Sequence, residues 1–226
     1  MEKSLLNCPK TELFKFDENF KEIQKTPLGL ELPSFSHVLG TDEAGRGPGA
    51  GGVFAACVCF LDYEIEKELT KLNDSKKLSE KTREELYKPI LDNSINSIIE
   101  VDVETIEKIN ILNSSLLAMK LATQEVLNKI NPISPILLVD GNKKVKDLKI
   151  PQKTVIKGDS KSASIAAASI LAKVTRDRKM YELDKQFKQY NWAKNKGYLT
   201  KEHIEAIKKY GITEHHRKSF LKNILN

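Results

Sequence analysis

The apolar residues of this chain form short continuous runs separated by stretches of helical period. The most apolar run, Val53 to Leu61, predicts a strand over residues 51–61 that is covered on both faces. Shorter runs predict strands at Val38–Asp42 and at Ile136–Asp140, the latter closing on Gly141. Ser97–Val103 alternates enough for another strand, and Thr154-Val155-Ile156 makes a short one. Between these runs the period becomes helical. Ser79 caps a helix reaching Asp92, with Leu86 and Ile90 on its dry face. Glu104–Ile109 and Ser114–Ile130 make two more, the second turning Leu117, Leu121 and Leu127 inward before Pro132 and Pro135 stop it. A long helix starts at Ser162 or Ser164 and runs to about Gln189. Its Ala166-Ala167-Ala168-Ser169 segment is small enough to lie close on a sheet. The last helix, near Thr200–Tyr210, ends at Gly211. Strands alternating with helices predict a layered α/β domain. Residues 1–37 read as a lead with a short helix or irregular structure, 38–190 as the core, and 191–226 as a helical C-terminal part.

Composition narrows the class. At 226 residues, 40% hydrophobic and 30% charged, the chain suits one globular domain with at most a small appendage. No apolar run approaches the roughly 20 residues of a membrane helix, and no secretory signal is visible at the start. Cys57 and Cys59 share one face of a strand and read as small buried hydrophobes, while Cys8 reads as a surface thiol. That pattern suits a reducing cytoplasm, and a monomeric cytoplasmic protein is expected. The net charge of +6 favours a polyanionic partner. Its distribution adds more. Residues 142–161 hold seven lysines against two acids, and 196–226 hold seven Lys or Arg against three acids.

The acids stand at strand ends. Asp42 and Glu43 follow one strand, Asp140 ends another, and Asp159 follows a third. Ligands gather outside the carboxyl ends of strands in open α/β sheets. Carboxylates converging there repel one another unless divalent cations intervene, and hard cations choose such oxygen ligands. Two Mg2+ or Mn2+ ions about 3.5–4 Å apart would suit phosphodiester hydrolysis. Successive strand residues face opposite ways, so Asp42 and Glu43 diverge unless the backbone bends after Asp42. Gly45 and Gly47 permit a bend and flank Arg46. A rival pattern overlaps this one: Gly47-Pro48-Gly49-Ala50-Gly51-Gly52 fits the glycine spacing of a dinucleotide-binding turn. That motif must open a helix, and the residues after it read as a strand.

Several segments together resemble ribonuclease HII. They are Asp42-Glu43-Ala44-Gly45-Arg46-Gly47-Pro48, Asp74-Ser75-Lys76-Lys77-Leu78-Ser79, Leu138-Val139-Asp140-Gly141 and Lys157-Gly158-Asp159-Ser160-Lys161. Residues 165–178, Asn195-Lys196-Gly197-Tyr198 and His216-Arg217-Lys218-Ser219-Phe220 match as well, in family order over roughly 38–220. The resemblance implies a ribonuclease H-like fold, a central mixed β-sheet flanked by helices with a helical C-terminal part. It implies an endonuclease that hydrolyses the RNA strand of RNA–DNA hybrids and cuts 5′ of ribonucleotides embedded in duplex DNA, leaving 3′-hydroxyl and 5′-phosphate ends. It makes Asp42, Glu43, Asp140 and Asp159 the catalytic, metal-binding carboxylates. It assigns Gly45, Arg46 and Gly47 to the ribose 2′-hydroxyl, the group that distinguishes RNA from DNA. Tyr198 falls on the tyrosine that packs on the next deoxyribose. Arg46 favours type HII over type HIII, which has lysine there. Lys76, Lys77, Lys161 and Arg217 fall where phosphate contacts are expected. Asn110 and Asn113 fit either contact with the DNA strand or helix capping. His203, His215 and His216 read as structural, Trp192 as packing, and Asp177 as an ion pair with Arg176 and Arg178. The family usually has Leu and Pro where this chain has Gly49 and Gly52, which predicts a looser Arg46 loop. A non-catalytic hybrid-binding protein on the same fold is the alternative function.

Overall fold

The computed structural model describes residues 11–22, 24–25, 31–32 and 34–225, and Cys8 lies outside them. In chain order the elements are α1 (Glu12–Glu18), β1 (Gln24–Lys25), β2 (Glu31–Leu32), β3 (His37–Ala44), β4 (Val53–Cys59), α2 (Glu80–Asp92), β5 (Ile95–Val101) and α3 (Val103–Ile130). Then come β6 (Pro135–Asp140), β7 (Gln152–Val155), α4 (Ala163–Gln186), α5 (Trp192–Asn195), α6 (Lys201–Tyr210) and α7 (Lys222–Leu225). β1 and β2 make a separate two-stranded ribbon. The main sheet has five strands in the order β5-β4-β3-β6-β7. β4 runs antiparallel to both neighbours, whereas β3, β6 and β7 are parallel. This is the mixed sheet flanked by helices that the sequence implied.

The pleat sorts the core. Leu39, Ala55, Cys57, Leu137 and Val139 pack toward α3, while Val38, Ala56, Val58 and Leu138 pack toward α4 and its neighbours. Cys57 and Cys59 share the α3 face, fully buried and unpaired. α4 lies so close to β3 that a Cβ on Gly40 would sit 2.3 Å from the Ser164 carbonyl carbon. The missing side chain at Gly40 allows that approach, and the small residues foreseen in 166–169 lie buried farther along the same helix. Ser162 caps α4, its hydroxyl accepting from the Ile165 amide at 3.2 Å, which settles the choice between Ser162 and Ser164. Asp17 adds a second anchor there: its carboxylate accepts from the Ser164 amide at 2.8 Å and from the Ser164 hydroxyl at 2.5 Å. Phe14 joins the core beside Phe60 and Tyr63, so α1 is packed.

Two details differ from the sequence reading, the end of β5 and the place of Leu121. β5 ends at Val101 rather than 103, because Asp102 caps the following helix by accepting from the Thr105 amide at 2.8 Å. The helices foreseen at 104–109 and 114–130 are both present, as the two parts of α3 on either side of a kink at Asn110, whose φ of 66° is non-helical. The buried stripe of α3 is Ala118, Met119, Ala122, Thr123 and Val126, while Leu121 is 37% exposed. Leu117 and Leu127 pack partly buried against the same core, so of the three leucines foreseen to face inward Leu121 alone departs. Finally, Val53–Cys59 is a strand, so the glycine-rich segment before it opens no helix and the dinucleotide pattern has no structural basis.

Candidate active site

β3, β6 and β7 all end at one edge of the sheet. Thr41 pairs with Val139, so Asp42 and Asp140 follow at adjacent strand ends. Asp140 pairs with Val155, and the tight turn Gly158–Ser160 then carries Asp159 over the same edge. The Gly158 amide donates to Asp140 Oδ1 at 2.7 Å, tying the third acid's turn to the second acid. β3 stays extended through Ala44, and the bend comes only at Gly45 with φ of 102°. Asp42 therefore turns toward α4 and Glu43 toward α3, as the pleat requires. Both still reach the mouth of one cleft because they stand at the strand's end.

That cleft has a volume of about 570 Å³. It gathers Asp42, Glu43, Gly45, Arg46, Gly47, Lys76 and Tyr198 from the expected set. A recess of about 60 Å³ on the α3 side shares Glu43 and Arg46 with it and adds Asp140. Asp159 lies behind Lys76, whose Nζ is 3.6 Å from its Oδ2. Lys77 and Lys161 are exposed and line neither cavity. Arg46 Nη1 donates to Glu43 Oε1 at 3.3 Å, with half of its side chain in solvent. Tyr198 is half exposed, and a Cβ on Gly47 would lie 3.3 Å from its Cε1. Asn110 Oδ1 accepts from the Asn113 amide at 3.1 Å, so capping is one task of that pair, and both side chains remain exposed.

The electrostatics are those of crowded acids. Burial drives the Asp42 carboxyl well above its usual range, and Glu43, Asp140 and Asp159 push the same way. Burial also raises Glu43, although Arg46 opposes it. Asp159 is raised by burial and then by Asp140 and Asp74, with Lys76 opposing. Lys76 itself is raised: burial acts against its charge, but Asp159, Asp42, Asp74 and Asp140 outweigh it. Among the described residues no three His, Cys, Asp or Glu side chains already surround a common point. The acids nevertheless influence one another through space, and the donors are all oxygen. An open oxygen set of this kind fits a hydrated hard cation, which keeps several waters and takes few carboxylates.

Arg217 departs from its expected place. It is buried, and its guanidinium faces carbonyls rather than a phosphate. Nε donates to Gly51 at 2.8 Å, Nη2 to Gly45 at 2.8 Å and Gly52 at 3.1 Å, and Nη1 to Arg46 at 3.3 Å. Arg176 does the same from the other side, reaching the carbonyls of Gly52, Ala50 and Lys196. The foreseen ion pair of Asp177 with its arginine neighbours is absent. Asp177 takes Lys173 at 2.6 Å, while Arg178 takes Glu84. Two buried guanidiniums thus hold the Arg46 loop from beneath. The loop is correspondingly close-packed: a Cβ would lie 2.6 Å from Leu199 at Gly49 and 2.8 Å from the Val101 carbonyl oxygen at Gly52. The looseness expected of these glycines is not found, because each marks a close approach. A signal for Arg176 was present in the sequence. Ser169, Lys173 and Arg176 recur at helical spacing on α4, and all three line the cleft.

Comparison with known proteins agrees with this geometry. The family model described as Ribonuclease HII matches residues 39–223. The chain belongs to the ribonuclease HII family. The Ribonuclease HII of Caldanaerobacter subterraneus subsp. tengcongensis is 53% identical over 223 residues, covering 98% of this chain and 89% of the relative. The structure of ribonuclease H2 from Pyrococcus horikoshii OT3 superposes with a TM-score of 0.66 at 25% identity, over 83% of this chain and 96% of that one. A ribonuclease HIII structure from Bst, in complex with Mn2+, gives a TM-score of 0.67 over 84% of this chain and 69% of that one. At 18% identity it speaks for the fold alone. As a ribonuclease HII, this protein is a hydrolase, an endonuclease acting on RNA–DNA hybrids. No helix among its described residues is long and apolar enough to cross a membrane.

Proposed function

We propose that this ribonuclease HII cuts 5′ of single ribonucleotides embedded in duplex DNA, as well as within hybrids. In this reading Asp42, Glu43, Asp140 and Asp159 hold two divalent cations, Mg2+ or Mn2+. The observation that carries it is the convergence of these acids on one sheet edge, against a loop and a tyrosine suited to reading sugar. Bound divalent cations supply an activated water and neutralise charge at the scissile phosphate. The protein's own groups set the geometry. Asp42 is buried and stands just past the point where β3 stops pairing with β6. Lys76 offsets charge beside Asp159 and reaches toward the phosphate path. Arg46, with Gly45 and Gly47, lets the backbone approach the ribose 2′-hydroxyl. Tyr198, beside Gly47, stacks on the deoxyribose that follows. The products carry 3′-hydroxyl and 5′-phosphate ends.

The test uses a labelled DNA duplex with one ribonucleotide, incubated with Mg2+, with EDTA, and with the Asp42→Asn variant. One nick 5′ of the ribonucleotide, lost in both controls, is expected. Cutting of long hybrids without the single nick would remove the role given to Arg46 and Tyr198. Tight duplex binding without cutting in Mg2+ or Mn2+ would favour a binding protein instead.

A further inference from the structure

Behind Tyr198 lies a buried polar cluster that the reaction does not use directly. His203 and His216 are within 1% of complete burial, with Trp192 fully buried against them. Their contacts leave each ring one neutral form. The Trp192 Nε1–H can only donate, and it lies 3.0 Å from His203 Nε2. His203 Nε2 is therefore bare, and the proton sits on Nδ1, 2.9 Å from the Tyr198 carbonyl oxygen. The Thr213 amide donates to His216 Nδ1 at 3.0 Å. His216 must then carry its proton on Nε2, which points at His203 Nε2 from 3.2 Å. Three rings interlock, and the chain of donors ends on the backbone of Tyr198.

That backbone has little freedom left. The Tyr198 carbonyl also accepts from the Thr200 amide at 2.8 Å, and its own amide donates to Asn195 at 2.9 Å. The neighbouring Gly197 carbonyl accepts from the Gly49 amide at 2.9 Å, linking this segment to the Arg46 loop. Titratable groups around the cluster are few. Tyr190 meets both histidines edge-on, and His215 packs against Trp192. Burial lowers both histidine pKa values, with His203 and His215 also pressing on His216, so the two rings are neutral at neutral pH.

We propose that His203 is a positioning residue for Tyr198, with Trp192 and His216 fixing its tautomer so that Nδ1–H always faces the Tyr198 carbonyl. The proposal rests on the reading of Tyr198 as the sensor of the ribose-to-deoxyribose step. It also makes a claim that stands without that reading, since the tautomers exist whether or not substrate is present.

Two arms test it on the full chain. In the first, long-range proton–nitrogen correlation spectra of the wild-type protein report the ring protonation of each histidine. His203 is expected as the Nδ1–H form and His216 as the Nε2–H form, and either one reversed overturns the proposal. The second arm compares His203→Asn, whose amide can stand in for the Nδ1 donor, with His203→Gln, whose amide reaches only the Nε2 side. Each is assayed on a single-ribonucleotide duplex and on a long hybrid. His203→Gln should lower the ratio of the two rates about tenfold, and His203→Asn should leave that ratio within about twofold of wild type. Both variants losing the two activities in parallel would make His203 merely structural and would sink the proposal. The expected tautomers with a ratio unmoved in either variant would also sink it, and a wild type that never cuts the single ribonucleotide would instead sink the function assigned to Tyr198.

Discussion

The two walls of the cleft are built on opposite principles. The wall of β3, β6 and β7 ends crowds carboxylates, where burial and neighbouring acids raise the pKa of Asp42, Glu43 and Asp159, with Lys76 and Arg46 as partial relief. The facing wall, the Gly45–Gly52 loop and the Tyr198 segment, is almost fully satisfied. Its carbonyls accept from two buried arginines, and its tyrosine backbone is held by His203. One wall is destabilised by its charges and, in the proposed function, gains from binding cations. The other spends its polar groups on rigidity and presents few side chains to the ligand. On the proposed function, reaction chemistry is placed where the protein is under electrostatic strain, and recognition where it is best ordered.

Removing a charge should therefore act oppositely on stability and activity at the first wall. Asp42→Asn relieves a buried carboxylate of three like-charged neighbours. Cleavage is expected to fall by about 10³-fold or more. Without divalent cation the melting temperature should rise by about 2–4 °C, equivalent to about 1 kcal/mol. Calorimetry in EDTA beside a nuclease assay measures both. A variant that lost activity and stability together would mean that Asp42 holds the fold rather than the reaction.

At the second wall the same kind of deletion should cost stability. Arg217→Ala takes the guanidinium from the carbonyls of Gly45, Arg46 and Gly51 together and leaves Gly52 with Arg176 alone. A loss of about 3–5 kcal/mol is expected, visible as a shifted denaturant midpoint. Arg217→Lys should recover less than half, because one ammonium cannot span a fork of four acceptors. A surface phosphate contact would instead leave the midpoint unmoved and weaken duplex binding alone.

Asp17 supplies a buried acid without carboxylate crowding. Burial is the main cause that lifts it from 3.8 to about 6, against its bonds to Ser162 and Ser164. The folded state thus holds this proton more tightly than the unfolded state. Its contribution to stability is fully present below pH 3.8 and lost as pH rises through 6. The stability of wild type relative to Asp17→Asn should fall by about 3 kcal/mol between pH 3.5 and 7. Divalent cation should leave that profile alone while stabilising the wild type through the cleft acids. A profile that responds to Mg2+ would show that α1 and the cleft are coupled.

How much of this was readable depends on what each residue answers to. The sheet, its helices and the acids at strand ends follow from apolar runs and their punctuation, because burial imposes period on sequence. The Gly51–Leu61 run and the break near Asn110 were visible that way. Arg217 was misread because a lone arginine in a basic tail looks the same whether it meets phosphate or carbonyl, and Arg176 because an acid beside it in sequence suggested an ion pair. Only the fold reveals that residues 176 and 217 converge beneath residues 45–52. The glycines at 49 and 52 failed for the same reason. A missing side chain signals freedom in a loop and close approach in a packed one, and the neighbour that decides is distant in sequence.

That ambiguity yields the smallest prediction. If Gly49 and Gly52 are merely loose, Ala at either position should stabilise by restricting the unfolded chain, by about 0.4–1 kcal/mol. If they are sites of close approach, the outcome depends on what the new Cβ meets. At Gly49 it meets the Leu199 side chain, which can rotate away, so Gly49→Ala should cost at most about 1 kcal/mol. At Gly52 it meets the Val101 carbonyl at 2.8 Å, backbone within β5 that cannot yield alone, so Gly52→Ala should cost about 1–3 kcal/mol. Chemical denaturation of the pair ranks them. The order Gly52 worse than Gly49 supports a wall held by packing as well as by arginines, and stabilisation by both substitutions would return the loop to the flexible element its composition suggests.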